Sequence, residues 1–159
     1  MRKINQLLRE YGESHQNPTN KRVHWVCVPL IFFSIVAIVW SIPSDALQSL
    51  VNSQSPWVNW ASLVLLIVFI YYLTLSVPLA LGMLAFSAVC LLASYALSQL
   101  NFLPVWALAL IIFIIAWIGQ FYGHKVEGKK PSFFKDIQFL MIGPAWLMHF
   151  IFKRLGIDY

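Results

Sequence analysis

Four histidines hold most of the reactive chemistry available to this sequence: His15, His24, His124 and His149. Imidazole binds transition metals and exchanges protons near neutral pH. Asn20 lies four residues before His24, so the two share a face wherever the segment is helical. A side-chain amide there can orient an imidazole, as polar groups behind metal ligands do. Glu127 lies three residues after His124 and can serve as a carboxylate behind that ring or as a proton acceptor. Each residue also has a plainer role. A single histidine at a membrane edge is usually a snorkelling polar group. Asn20 can cap a helix, and Glu127 can pair with Lys129 or Lys130. The weight shifts when several histidines fall at one level, because one metal ion then accounts for all of them. Other chemistries lack their motifs: the chain has no H-E-x-x-H, no G-x-S-x-G and no P-loop. Four scattered histidines are too few for the clustered boxes of a membrane di-iron enzyme, so the site expected is a single metal.

Hydropathy and charge set the elements that must position these residues. Of the 159 residues, 60% are hydrophobic and 11% charged, with a mean hydropathy of +0.73; soluble domains carry about 25% charged residues. All 11 Lys and Arg lie in residues 1–22 or after Gly123, and from Val23 to Gly123 the one formal charge is Asp45. The net charge of +5 flanks apolar runs and so points to an anionic membrane surface rather than nucleic acid. Cys27 and Cys90 fall inside apolar runs and read as small buried hydrophobes. The sequence predicts an all-α, single membrane domain over residues 1–159. Four transmembrane helices are expected, near His24–Trp40, Trp57–Leu75, Val77–Leu97 and Phe102–Tyr122, each close to the ~20 residues a bilayer crossing needs. Tryptophans and tyrosines mark their ends, as an aromatic belt does. Ile4, Leu7, Leu8 and Tyr11 form the apolar stripe of a short N-terminal amphipathic helix, lying on the membrane or packed under the bundle. That helix breaks around Gln16–Pro18, where Asn17 or Thr19 can cap the next. Ile137–Phe152 is short and holds Gly143 and Pro144, so an interfacial or re-entrant helix is expected. An even number of spans puts both termini on one side, and the positive-inside rule makes that side the cytoplasm, with the chain in a bacterial inner membrane or, in a eukaryote, the endoplasmic reticulum. The same arithmetic gathers His15, His24 and His124 into one layer; His149 joins if the last helix folds back.

The residues Tyr11, His15, Asn17-Pro18, Asn20, His24 and Pro29 spell Y-x3-H-x-N-P-x-N-x3-H-x4-P. The fourth span closes on Trp117-Ile118-Gly119-Gln120-Phe121-Tyr122-Gly123-His124, followed by Val126-Glu127, Lys129-Lys130-Pro131 and Asp136. This two-part pattern resembles the small membrane family whose fungal member is a 2-hydroxy fatty acid dioxygenase of phytosphingosine breakdown. The resemblance implies an Fe(II)-dependent α-oxidation, in which a 2-hydroxy fatty acid reacts with O2, loses its carboxyl carbon as CO2 and leaves the acid one carbon shorter. It implies His15, His24 and His124 as iron ligands. His149 falls where the family often has a glutamate in the last helix. Membrane lipids would surround the protein, and Arg22, Lys125 or Lys129 could attract the substrate carboxylate. Two other classes stand beside this one: a non-enzymatic membrane haem or metal-binding protein, and a small transporter or structural partner. The absence of an intramembrane charge pair and of an inverted repeat weighs against transport.

Overall fold

A computed structural model describes residues 3–100, 103–128 and 133–158. Among these residues all regular structure is helical, in the order α1 (Lys3–Gly12), α2 (Pro18–Trp40), α3 (Asp45–Leu50), α4 (Trp60–Leu75), α5 (Val77–Ser98), α6 (Val105–Glu127) and α7 (Phe133–Leu155). Phe102, Lys129, Lys130 and Pro131 lie outside the described residues.

Three helices, α2, α5 and α6, are long and apolar enough to cross a membrane. Their outward faces carry Val26, Leu81, Val89, Ile115 and Ile118, all more than half exposed, which suits a hydrocarbon solvent. The second expected span, Trp57–Leu75, is shorter than the sequence suggests. Asn59 caps α4 by accepting a hydrogen bond from the Ser62 N–H at 2.9 Å, so the helix starts at Trp60 and has 16 residues. At ~1.5 Å per residue it is about 24 Å long, less than a ~30 Å hydrocarbon core. Ser76 ends α4 and caps α5 at once, accepting from the Leu79 N–H, and the two helices form a tight antiparallel pair. The loop expected over Ser44–Pro56 contains a helix, α3, with Asp45 in its first turn where the helix dipole favours an acid. At this end of the bundle Trp40, Trp57 and Tyr95 pack together edge to face or tilted, with ring centroids 5.2–6.3 Å apart.

The α2–α6 pair is the most extensive helix contact. Small residues let the backbones approach, as they do between helices in lipid. A Cβ on Gly119 would stand 2.6 Å from Cys27 Sγ, and one on Gly123 would stand 2.4 Å from Asn20 Oδ1. Both helices run past the predicted apolar spans at the shared end, and α2 begins at the break the sequence offers. Pro18 sits at the first position of α2 and Asn17 caps it, accepting from the Thr19 N–H at 2.8 Å. His24 is therefore in the second turn rather than at the helix start. At the other side α6 continues past Tyr122 to Glu127 and ends at Gly128, whose φ of +72° is left-handed. His124 thus sits within the helix, in register with Gln120 and Gly123.

The amphipathic α1 is packed under the bundle. Ile4, Leu8 and Tyr11 are buried, each apolar side chain contributing roughly 1.5–3 kcal/mol by leaving water. Its partner is α7, which also packs on α2 and α5. Gly143 allows that contact, since a Cβ there would meet Tyr11 Oη at 3.0 Å and Val28 Cγ1 at 3.1 Å. The last helix is longer than the Ile137–Phe152 segment and keeps Pro144 inside it. It is not among the three helices that meet the length and hydropathy of a crossing.

Candidate metal centre

His15 lies in the short turn between α1 and α2, His24 on α2 and His124 in the last turn of α6. The fold brings all three together. They are 2%, 2% and 8% exposed, and one nitrogen from each ring lies within 4.8 Å of the others. Ring centroids are 4.1 Å apart for His15–His24, 5.1 Å for His24–His124 and 5.5 Å for His15–His124, each pair edge to face. Rings in direct contact at these distances suit one ion and leave no slot for a macrocycle between two of them.

Tyr11 sets the orientation of two rings. Its phenol stacks on His15 at 4.2 Å with 14° between planes. His15 Nδ1–H donates to the Tyr11 carbonyl at 2.6 Å, which puts the lone pair on Nε2. Tyr11 Oη lies 3.2 Å from His24 Nδ1, and His24 Nε2 is buried with no hydrogen-bond partner. In the tautomer whose Nδ1–H donates to the Tyr11 oxygen, His24 Nε2 carries the lone pair; a buried acceptor without a partner is costly, and a cation at this point would satisfy it. The donor set, three imidazoles of which His15 and His24 have their far nitrogens held by the Tyr11 carbonyl and phenol, fits a divalent transition metal. Trp146 of α7 closes the layer, with its ring 5.3 Å from Tyr11 and 5.4 Å from His15.

Glu127 works on the backbone that carries His15. One carboxylate oxygen accepts from the Gln16 N–H at 2.8 Å, and the other from the Asn17 N–H at 2.9 Å and the Asn20 side-chain amide at 3.0 Å. Asn20 is fully buried and also donates to the Ser14 carbonyl at 3.3 Å. Its amide therefore holds the turn that presents His15, rather than bonding an imidazole directly. Glu127 and Asn20 together tie that turn to the end of the helix carrying His124.

His149 does not join the three. It is half-buried on α7, its ring meets Phe150 at 5.1 Å, and it is absent from the cavity wall. Partial burial, and then the Lys153 ammonium, lower its pKa below the ordinary imidazole value. The reason is register: Gly143 and Trp146 are the α7 residues turned to Tyr11 and His15, and His149 lies a turn beyond them. Arg22 and Lys125 are exposed, and neither lines the cavity.

The cavity beside the histidines has a volume of about 40 Å³, against the ~10–15 Å³ that one water needs. Gln120 and Trp117 of α6 are on its wall. Gln120 Oε1 and Trp117 Nε1 are both buried without a hydrogen-bond partner. Gln120 is one turn before His124, a spacing that could have marked it, but α6 is apolar nearly all round and gives no face to read. Trp146 is legible in the sequence only as one more aromatic near a membrane edge.

Three converged histidines at one end of an apolar helical bundle, with three helices long and apolar enough to cross a membrane, make the class that of a membrane-compatible helical protein with a candidate mononuclear metal centre. The sequence matches, over residues 1–155, the family described as Mpo1-like, 2-hydroxy-palmitic acid dioxygenase Mpo1-like, and the chain belongs to that family. It is 32% identical over 152 residues to the 2-hydroxy-palmitic acid dioxygenase MPO1 of Saccharomyces cerevisiae, a match covering 90% of this chain and 76% of the yeast protein. No solved structure matches the chain.

Proposed function

We propose that this chain is an Fe(II)-dependent dioxygenase that converts a 2-hydroxy fatty acid and O2 into the acid one carbon shorter, CO2 and water. The observation that carries the reading is the convergence of His15, His24 and His124, buried and with ligating nitrogens within 4.8 Å of one another. The name of the yeast relative supplies the substrate class. The conversion balances without a further reductant. The bond between C1 and C2 breaks, C1 leaves as CO2, C2 becomes the new carboxyl carbon, and O2 takes up the electrons released.

His15, His24 and His124 would hold the iron. When bound, that ion supplies the redox chemistry with O2 that side chains lack. The remaining work belongs to the protein. Tyr11 fixes two imidazoles through its carbonyl and its phenol. Trp146 and the ring of Tyr11 cover the cluster and keep water from it. Trp117 Nε1–H is a donor for a substrate carboxylate oxygen, and Gln120 Oε1 is an acceptor for the 2-hydroxyl. This donor and acceptor pair matches the head of a 2-hydroxy acid and explains why two polar atoms are left buried on an otherwise apolar wall.

The topology proposed with this activity has α2, α4, α5 and α6 as four crossings. Both termini and the histidine layer then face the cytoplasm. The support is the confinement of every Lys and Arg to the two ends of the chain; the turn before Asn59 makes up the length that α4 lacks.

The test uses purified protein loaded with Fe(II) under anaerobic conditions and then given a long-chain 2-hydroxy acid and O2. Shortened acid and CO2 should appear in equal amounts. A folded, iron-loaded protein that forms neither sinks the proposal. His15→Ala, His24→Ala or His124→Ala should each abolish turnover and bound iron together.

A further inference from the structure

A second cavity, of about 100 Å³, lies between α2, α4 and α7. Every side chain on its wall is apolar. Cavities of that kind stay dry and take apolar guests, so hydrocarbon is the occupant its chemistry selects. The cavity adjoins the histidine site through a shared wall residue and a common face of α2. Leu140 lines both chambers. Val28 and Ile31 line the first, and Ile35 and Val39 line the second. These four residues step by three or four along α2, so they form one stripe on one face of the helix. The stripe begins one turn after His24 and runs from Val28 to Val39, about 16 Å along the axis at ~1.5 Å per residue. That is the scale of a long acyl chain.

We infer that this second cavity binds the acyl chain of the substrate, with Leu140 at the passage between the chambers and Ala61 of α4 setting the width. The inference rests on the 2-hydroxy fatty acid reading above. Ala61 is 1% exposed and lines the cavity opposite α2, so a larger side chain there takes the space a chain would use. Val39 marks the far end of the stripe and limits the length of chain that can be buried. The apolar guest has two sources, the tail of the substrate or a chain of a bilayer lipid, and the two make different predictions about length selectivity.

The experiment compares full-length native protein with Ala61→Phe and Val39→Phe, using short, medium and long 2-hydroxy acids. Iron content per chain is measured in every preparation. For Ala61→Phe, kcat/KM for the long acid should fall about tenfold or more, the effect of leaving two or more methylenes unburied, while the short acid and the iron content are unchanged. Val39→Phe should lower turnover of the longest acid and spare the medium one, and it decides the matter if Ala61→Phe does not fold. A direct reading comes from metal-free protein: a long unreactive fatty acid should displace a fluorescent fatty acid from the native chain about tenfold more effectively than from Ala61→Phe. Folded variants with the native length profile and native displacement overturn the inference, and the cavity then holds bilayer lipid. If the iron-loaded native protein turns over no 2-hydroxy acid, the functional reading fails by itself, and the displacement measurement still decides whether the cavity binds acyl chains.

Discussion

Tyr11 touches two of the three histidines through different atoms, and those atoms can be separated by mutation. Tyr11→Phe removes the oxygen 3.2 Å from His24 Nδ1 but keeps the ring stacked on His15 and the carbonyl that His15 bonds. Losing one such partner behind a ligand typically lowers metal affinity ~10–100-fold. Competition against a chelator should show that loss for Tyr11→Phe, whereas His24→Ala should bind no metal at the site. Under the proposed function Gln120 meets the substrate rather than the metal. Gln120→Leu should leave metal content unchanged and lower kcat/KM for the 2-hydroxy acid about tenfold, the worth of one hydrogen bond to a polar group; steady-state kinetics checks it, and unchanged kinetics would remove Gln120 from the substrate's contacts. His15, His24 and His124 were legible as a group from the sequence because charge and span count place them at one membrane face. Gln120, Trp117 and Trp146 were not. A helix that is apolar all round has no periodicity to say which side is inward, and only the packing of α2 and α7 against the site reveals it.

At the level of the helices, the site depends on how closely α2 and α6 approach. Gly123 stands against Asn20 one residue before His124, and a Cβ there would come 2.4 Å from the Asn20 amide oxygen. Gly123→Ala should therefore push the two helices apart, lower stability by roughly 1–3 kcal/mol as overpacking does, and reduce bound metal, because Asn20 also bonds Glu127. Thermal unfolding in detergent and metal analysis read the two effects separately. The N-terminal stripe and the Asn17-Pro18 break were written in the sequence, since an amphipathic period and a proline act locally. Whether α1 rests on lipid or on protein was not, because its partner is α7, far along the chain. The late end of α6 was likewise hidden: hydropathy falls off before the hydrogen-bonded helix does, and the left-handed Gly128 decides the boundary.

For the whole molecule the decisive question is sidedness. With four crossings, single reactive cysteines placed near each terminus, in a chain whose Cys27 and Cys90 are buried, should both be labelled from the cytoplasmic face of intact membranes; labelling from opposite faces would mean that α4 or α7 has been counted wrongly. The all-α class and three of the spans could be read from apolar length alone. The shortness of α4 could not, because it comes from a single capping side chain, Asn59. The clamp made by Glu127 has a consequence in time. His15, His24 and the backbone N–H groups of Gln16 and Asn17 are synthesised first, while His124 and the carboxylate that steadies the turn arrive with α6, after all the intervening helices. A partly synthesised chain thus carries an incomplete set of ligands on an untethered turn. Under the proposed function, a full set of three imidazoles exists only once α6 is in place, so the order of translation would hold back iron loading and oxygen chemistry until the surrounding bundle has formed.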